Sequence, residues 1–215
     1  MRSGPSSPSP PVRRYRRALG TALALVAALG SARSAEPQSG SSADPEADRA
    51  AAIKAAFVLN FARYATWPED RFAGPDSPIV VRVLGDPLVA DALAELAGRA
   101  GELSGRRLVI AMNQGGRAGS WRDEFADLEN AHLVYIGRET PPEDASALVE
   151  ELAGAAVLTV GDVDDFARVG GMLGLVLEGN RILFDANVAS LAASRVGVSA
   201  RVLKLARRVE RESEP

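Results

Sequence analysis

One histidine, His132, and three glycine-polar pairs, Gly85-Asp86, Gly137-Arg138 and Gly161-Asp162, are the groups of this 215-residue chain best placed to do chemistry. Each pair follows an apolar run that reads as a strand, and in open α/β sheets small ligands bind in the crevice beyond the carboxyl ends of the strands. A shared pocket is one reading. The other is turn chemistry, in which the glycines let the chain turn, Asp86 and Asp162 cap helices, and Asp165 sits where a cap is also feasible. His132 has no cysteine to join it, so a multi-histidine metal site is excluded by count, and a Ser-His-Asp relay would have to use this one ring. Ser120, Ser190, Ser194 and Ser199 show no GxSxG elbow, and no GxGxxG or phosphate-cradling loop ending in Lys is present. Asp162, Asp164 and Asp165 lack the glycine and closing glutamate of a calcium loop. His132 is therefore expected to be structural, with no cofactor and no metal.

Residues of this kind must be held by a scaffold, and hydropathy patterning supplies one. Ile79 to Leu84 reads as a strand, ended by Gly85-Asp86-Pro87, where Asp86 can cap and Pro87 can open a helix through Ala97. Arg106 to Met112 is a second strand, Trp121 to Leu128 a short helix, and His132 to Ile136 a third strand. Pro142 to Leu152 is helical and Ala155 to Val160 is a fourth strand. Met172 to Leu177 and Arg181 to Asn187 flank Gly179-Asn180, which suits a tight antiparallel hairpin. Ser199 to Val209 reads as a last helix with Val198, Val202, Leu205 and Val209 in one stripe. Arg201, Lys204, Arg208 and Arg211 lie beside that stripe, as a solvated face or as a surface for an acidic partner or anionic lipid. Strands alternating with helices predict a single open α/β sheet with several parallel strands, helices on both faces and an antiparallel hairpin near the C-terminus.

The segment Ala50 to Pro68 places Ile53, Ala56, Phe57, Asn60, Phe61 and Tyr64 at helical spacing on one face, and the helix is expected to stop at Trp67 because Pro68 follows. Asn60 then lies inside the apolar stripe, where an unpartnered amide would cost about 1–3 kcal/mol, so it is either bonded internally or held for a ligand or partner. Phe57, Phe61 and Trp67 anchor either the core or a self or partner contact.

Upstream, Arg13, Arg14, Arg16 and Arg17 precede the uncharged run Ala18 to Ala32, which is short of the roughly twenty residues that cross a bilayer and ends in small residues. Residues 1–32 read as a secretory signal peptide, 33–48 as a flexible polar lead, 49–209 as one α/β domain and 210–215 as a tail. Cleavage after Ala32 leaves 20 Lys+Arg against 28 Asp+Glu, a net charge of −8. Nucleic acid is an unfavourable partner for such a surface. The chain has no cysteine, which excludes disulfides, thiol nucleophiles and lipoprotein acylation together. No second apolar run approaches spanning length, so no membrane insertion is expected after processing.

The helix AAFVLNFARYATWP, the strand-turn VRVLGD, the segment LTVGDVDDFARVGGMLGLVLEGNRILFDANV and the closing SARVLKLA resemble, in order, the motifs of the YfiR-like periplasmic proteins. The resemblance covers about residues 50 to 209. It rests on Phe57, Asn60, Phe61, Trp67 and Pro68 in the first helix, Gly85 after the first strand, Phe166, Gly170, Gly171 and Met172 in the glycine turn, and Phe184 and Asn187 in the last strand. The resemblance implies an α/β regulator that tends to dimerise and has no enzymatic activity. It implies a partner too, the periplasmic domain of an inner-membrane diguanylate cyclase, which is held inactive so that cyclic di-GMP and biofilm formation fall. A sensor kinase or other receptor is the other partner the family allows, and a small-ligand carrier feeding such a receptor is the competing function. Phe57, Asn60, Phe61, Trp67, Phe166 and Asn187 are the candidate contact residues. Redox control through disulfides, open to relatives with cysteine pairs, cannot operate here.

Overall fold

In the computed structural model, which describes residues 44–112 and 128–210, the chain alternates strand and helix much as its patterning predicts. In chain order the elements are α1 (Pro45–Tyr64), β1 (Ala65–Thr66), β2 (Ile79–Leu84), α2 (Pro87–Ala100), β3 (Glu102–Leu103), β4 (Arg106–Met112), β5 (Leu133–Ile136), α3 (Pro142–Glu151), β6 (Leu158–Gly161), β7 (Leu173–Glu178), β8 (Arg181–Asn187), α4 (Val188–Ala193), β9 (Gly197–Val198), α5 (Ala200–Leu203) and β10 (Arg208–Glu210). The proposed signal peptide, most of the lead, the expected helix from Trp121 and all of the final tail but Glu210, which ends β10, lie outside the described residues.

Among the described residues, eight strands form one sheet in the order β10-β8-β7-β6-β5-β2-β4-β3. The pairs β2-β4, β2-β5, β5-β6 and β6-β7 are parallel. The order reverses at β2: the chain first adds β4 on one side, then β5, β6 and β7 on the other. That reversal is a topological switch point between β2 and β5. β7 and β8 form the expected antiparallel hairpin, closed at Glu178 and Arg181, with Gly179 at φ 60.

Both faces of the sheet are covered. Along β5, Leu133 and Tyr135 join a core shared with α1 and α2, while Val134 and Ile136 join a second core shared with α3. All four are buried, as expected of a central parallel strand covered on both faces.

Three expectations are corrected. α1 begins at Pro45, capped by the Asp44 carboxylate on the Glu46 N–H at 3.0 Å, so the last residues of the polar lead are helical. The helix stops at Tyr64 rather than Trp67, because Ala65 and Thr66 pair antiparallel with Val198 and Gly197. The last helix is only Ala200–Leu203, capped by Ser199; Arg208–Glu210 instead pair in parallel with Asp185–Asn187 of β8. The basic stripe is thereby dispersed, since Arg208 is on a strand while Arg201 and Lys204 stay on the short helix and its C-cap.

Candidate functional site

The turns after β2 and β5 meet back to back at the switch point. Gly85 has φ +62, and a Cβ on Gly137 would strike the Gly85 carbonyl oxygen and the Asp86 side chain. Glycine at both positions lets the two strand ends approach. Asp86 caps α2 as expected, its Oδ1 accepting from the Val89 N–H at 3.0 Å. Its other oxygen, Oδ2, lies 3.1 Å from Lys54 Nζ, which descends from α1.

Asp162, after β6, does not cap a helix. It is 3 % exposed, and its Oδ2 lies 2.6 Å from Lys54 Nζ and 3.3 Å from Arg138 Nε. Three strand ends and the first helix are thus tied by one ion-pair network. Burial alone would lower the Lys54 pKa, but the hydrogen bond and charge of Asp162, followed by Asp86, raise it on balance. A lysine held protonated in this way is no general base. Beneath it the Tyr135 hydroxyl is buried, and burial, then the Asp162 and Asp86 charges, push its pKa up.

Two clefts share Arg138, Asp162 and Leu175, Val176 and Leu177 of β7. One, about 390 Å³, is walled by Asp164, Asp165, Arg168, Asp185 and Arg207. The other, about 120 Å³, is lined by Ala50, Lys54, Leu175, Leu177 and Ile182.

At the opposite end of β5, the His132 ring stacks on Phe72 at 4.6 Å between centroids and takes the edge of Trp67 at 5.7 Å. His132 Nδ1 accepts from the Val80 N–H at 3.1 Å, and its carbonyl accepts from Trp67 Nε1 at 2.8 Å. Because Nδ1 is an acceptor, the ring proton belongs on Nε2. Burial, then the charge of Arg71, lowers its pKa to about 4. This ring is packed and wired into the sheet, and among the described residues no hydrogen bond joins it to a serine or carboxylate.

The remaining candidates divide. Phe57, Phe61 and Phe184 form a ring cluster with centroids 5.1–6.1 Å apart, Phe61 fully inside and Phe57 half-buried. Phe166 is buried against Gly161 and Gly171. Asn187 caps α4 through Ser190 N–H and donates Nδ2–H to the Ala167 carbonyl, both at 2.9 Å. Asn60 is exposed, which corrects the expectation that its amide is buried in the stripe. Ile53 at 37 % and Tyr64 at 48 % also face outward; the buried face is Ala51, Ala55, Val58, Leu59, Phe61 and Ala62. Sequence reasoning missed Lys54, although one of only two lysines against 23 arginines, set among alanines, is a usable signal.

A family model described as YfiR/HmsC-like matches residues 51–207. The chain belongs to the YfiR/HmsC-like family. The match takes in α1 from Ala51 onward, both glycine turns, the Asp162 network and the β7-β8 hairpin of this YfiR/HmsC-like protein. Among solved structures it is similar, at 18 % identity and a TM-score of 0.34, to one titled "Crystal Structure and Reactivity of YbdL from Escherichia coli Identify a Methionine Aminotransferase Function". The alignment covers 74 % of this chain and 43 % of that one, so this chain spans less than half of that protein's length. Likeness at that level carries no argument about activity.

Proposed function

We propose that this YfiR/HmsC-like protein is a periplasmic regulatory binding protein, acting as a homodimer. It binds the periplasmic domain of an inner-membrane diguanylate cyclase and inhibits it, lowering cyclic di-GMP and restraining biofilm formation. The observation that carries this reading is the family match across residues 51–207. The site chemistry agrees with it: the charged groups at the switch point are joined to one another, and Lys54 is held as a cation. Among the described residues no helix is long and apolar enough to cross a membrane, and the arginine-led apolar run at the N-terminus supplies the export signal. Inhibition needs only tighter binding to the inactive partner than to the active one, since equal affinity shifts nothing.

The test is deletion of the gene with measurement of cyclic di-GMP, together with co-purification of the purified protein and the cyclase periplasmic domain. A rise in cyclic di-GMP and a stable complex are expected. Unchanged cyclic di-GMP with no complex overturns the reading. A second reading, a small-ligand carrier feeding a sensor kinase, is favoured by the two clefts at the carboxyl ends of the parallel strands. It predicts thermal stabilisation by a periplasmic metabolite, because a ligand that binds the native state raises apparent stability. No shift at saturating ligand counts against it.

A further inference from the structure

β7 outlasts its neighbour. β6 pairs with it only at Val160-Leu173 and Gly161-Gly174, whereas β8 pairs with it as far as Glu178. From Leu175 to Glu178 the strand therefore has no partner on the β6 side among the described residues. The peptide groups exposed there follow from the ladder. Asn187 N–H donates to the Met172 carbonyl, so alternate residues from 172 onward, Gly174, Val176 and Glu178, bond to β8, and the odd residues point the other way. Leu177 consequently offers both its N–H and its C=O to an open edge, and such edges pair readily with another chain.

The edge lies between the two clefts, and they differ in chemistry. Leu175 and Leu177 share a sheet face with Phe184 and Ile182, on the α1 side. Gly174 and Val176 share the other face with Asp185, beside the charged cleft. In that cleft Arg138, Arg168 and Arg207 are each already paired, with Asp162, Asp165 and Asp185. The charge left over is acidic: Asp164 has no ion pair among the described residues, and Glu178 reaches Arg207 only at 4.0 Å. A strand laid along β7 would place alternate side chains in an apolar cleft and in an acid-biased one.

We propose that the free edge of β7, Leu175 to Glu178, is a strand-addition site for an extended segment of a partner protein whose side chains alternate apolar and basic. Main-chain bonds supply affinity and the two clefts supply selectivity. The inference rests on the reading that this protein acts by binding another protein.

The test titrates the purified protein with a labelled octapeptide of alternating valine and lysine. Saturable binding is expected, together with slowed hydrogen exchange at the Leu177 amide. The same peptide N-methylated at alternate amides on its bonding edge, and a valine-glutamate counterpart, each bind at least about tenfold more weakly. Leu177→Pro removes the outward N–H without touching the ladder to β8 and weakens binding about tenfold beyond Leu177→Ala, which trims the same side chain but keeps the N–H. Equal binding by the N-methylated peptide, or no saturable binding at all, overturns the proposal. Dimerisation that protects the Leu177 amide without peptide also overturns it and assigns the edge to a second copy. The assay contains no cyclase, so its failure leaves the cyclic di-GMP measurement standing, and the reverse holds.

Discussion

At the amino end of β5 the His132 ring is enclosed between Phe72 and Trp67, while at the carboxyl end Lys54, Asp86, Arg138 and Asp162 gather charge beside two open clefts. One strand thus runs from a closed aromatic seat to an ionic junction. The aromatic end holds its ring neutral and its carbonyls filled; Arg106 stacks over Phe72 at 3.7 Å and donates to the carbonyls of Gly74, Pro75 and Ser77. The ionic end holds Lys54 as a cation. Chemistry-bearing residue types therefore occur at both ends, and the ionic end opens onto two clefts.

Five perturbations sharpen or break this contrast. Lys54→Ala has the largest expected effect, a loss of about 3–5 kcal/mol in denaturant unfolding, because the buried Asp162 charge is left with only the exposed Arg138. The same bridge should contribute fully below the ordinary lysine pKa of 10.5 and be lost as pH rises through the raised folded value. Acid acts on the other end. Between about 6.5 and about 4 the unfolded chain binds a proton that folded His132 refuses. Stability should thus fall by about 2–3 kcal/mol as pH drops through that window, a slope absent in His132→Gln. Trp67→Phe removes one donor from the His132 carbonyl, which still accepts from the Leu158 N–H at 2.9 Å; a loss of about 1 kcal/mol is expected in the same assay. Asn60→Ala should change stability by no more than about 0.5 kcal/mol, and a larger loss would restore the buried-amide reading.

Turn chemistry made much of the sheet legible. Gly85-Asp86-Pro87 marked the strand-to-helix junction and its cap, and Gly179-Asn180 marked the hairpin, because both signals are local. The phase of α1 was misread because weight fell on large residues. Alanines at 51, 55 and 62 are the buried ones, and α1 packs closely on α2, which buries Ala90 and Ala97. The final helix failed for a different reason. Its apolar stripe suits a helix, but the bidentate bond of Arg207 to Asp185, at 2.9 and 2.7 Å, and the pairing of Arg208 with β8 draw that stretch into the sheet. Lys54 was invisible in its role, since a lysine on a surface helix ordinarily faces water and its partners lie 32 and 108 residues away. The strand mismatch between β6 and β7 depends on register, which hydropathy does not carry.

The Lys54 bridge also bears on the order in which the molecule assembles. Its carboxylates come from turns that meet where β2, β5 and β6 lie side by side, so the bridge is expected to close late, after that long-range pairing. A clasp of that kind holds the finished architecture shut without helping to build it. Removing it should leave the refolding arm of a chevron nearly unmoved and steepen escape from the native state, which makes Lys54 a determinant of lifetime more than of speed.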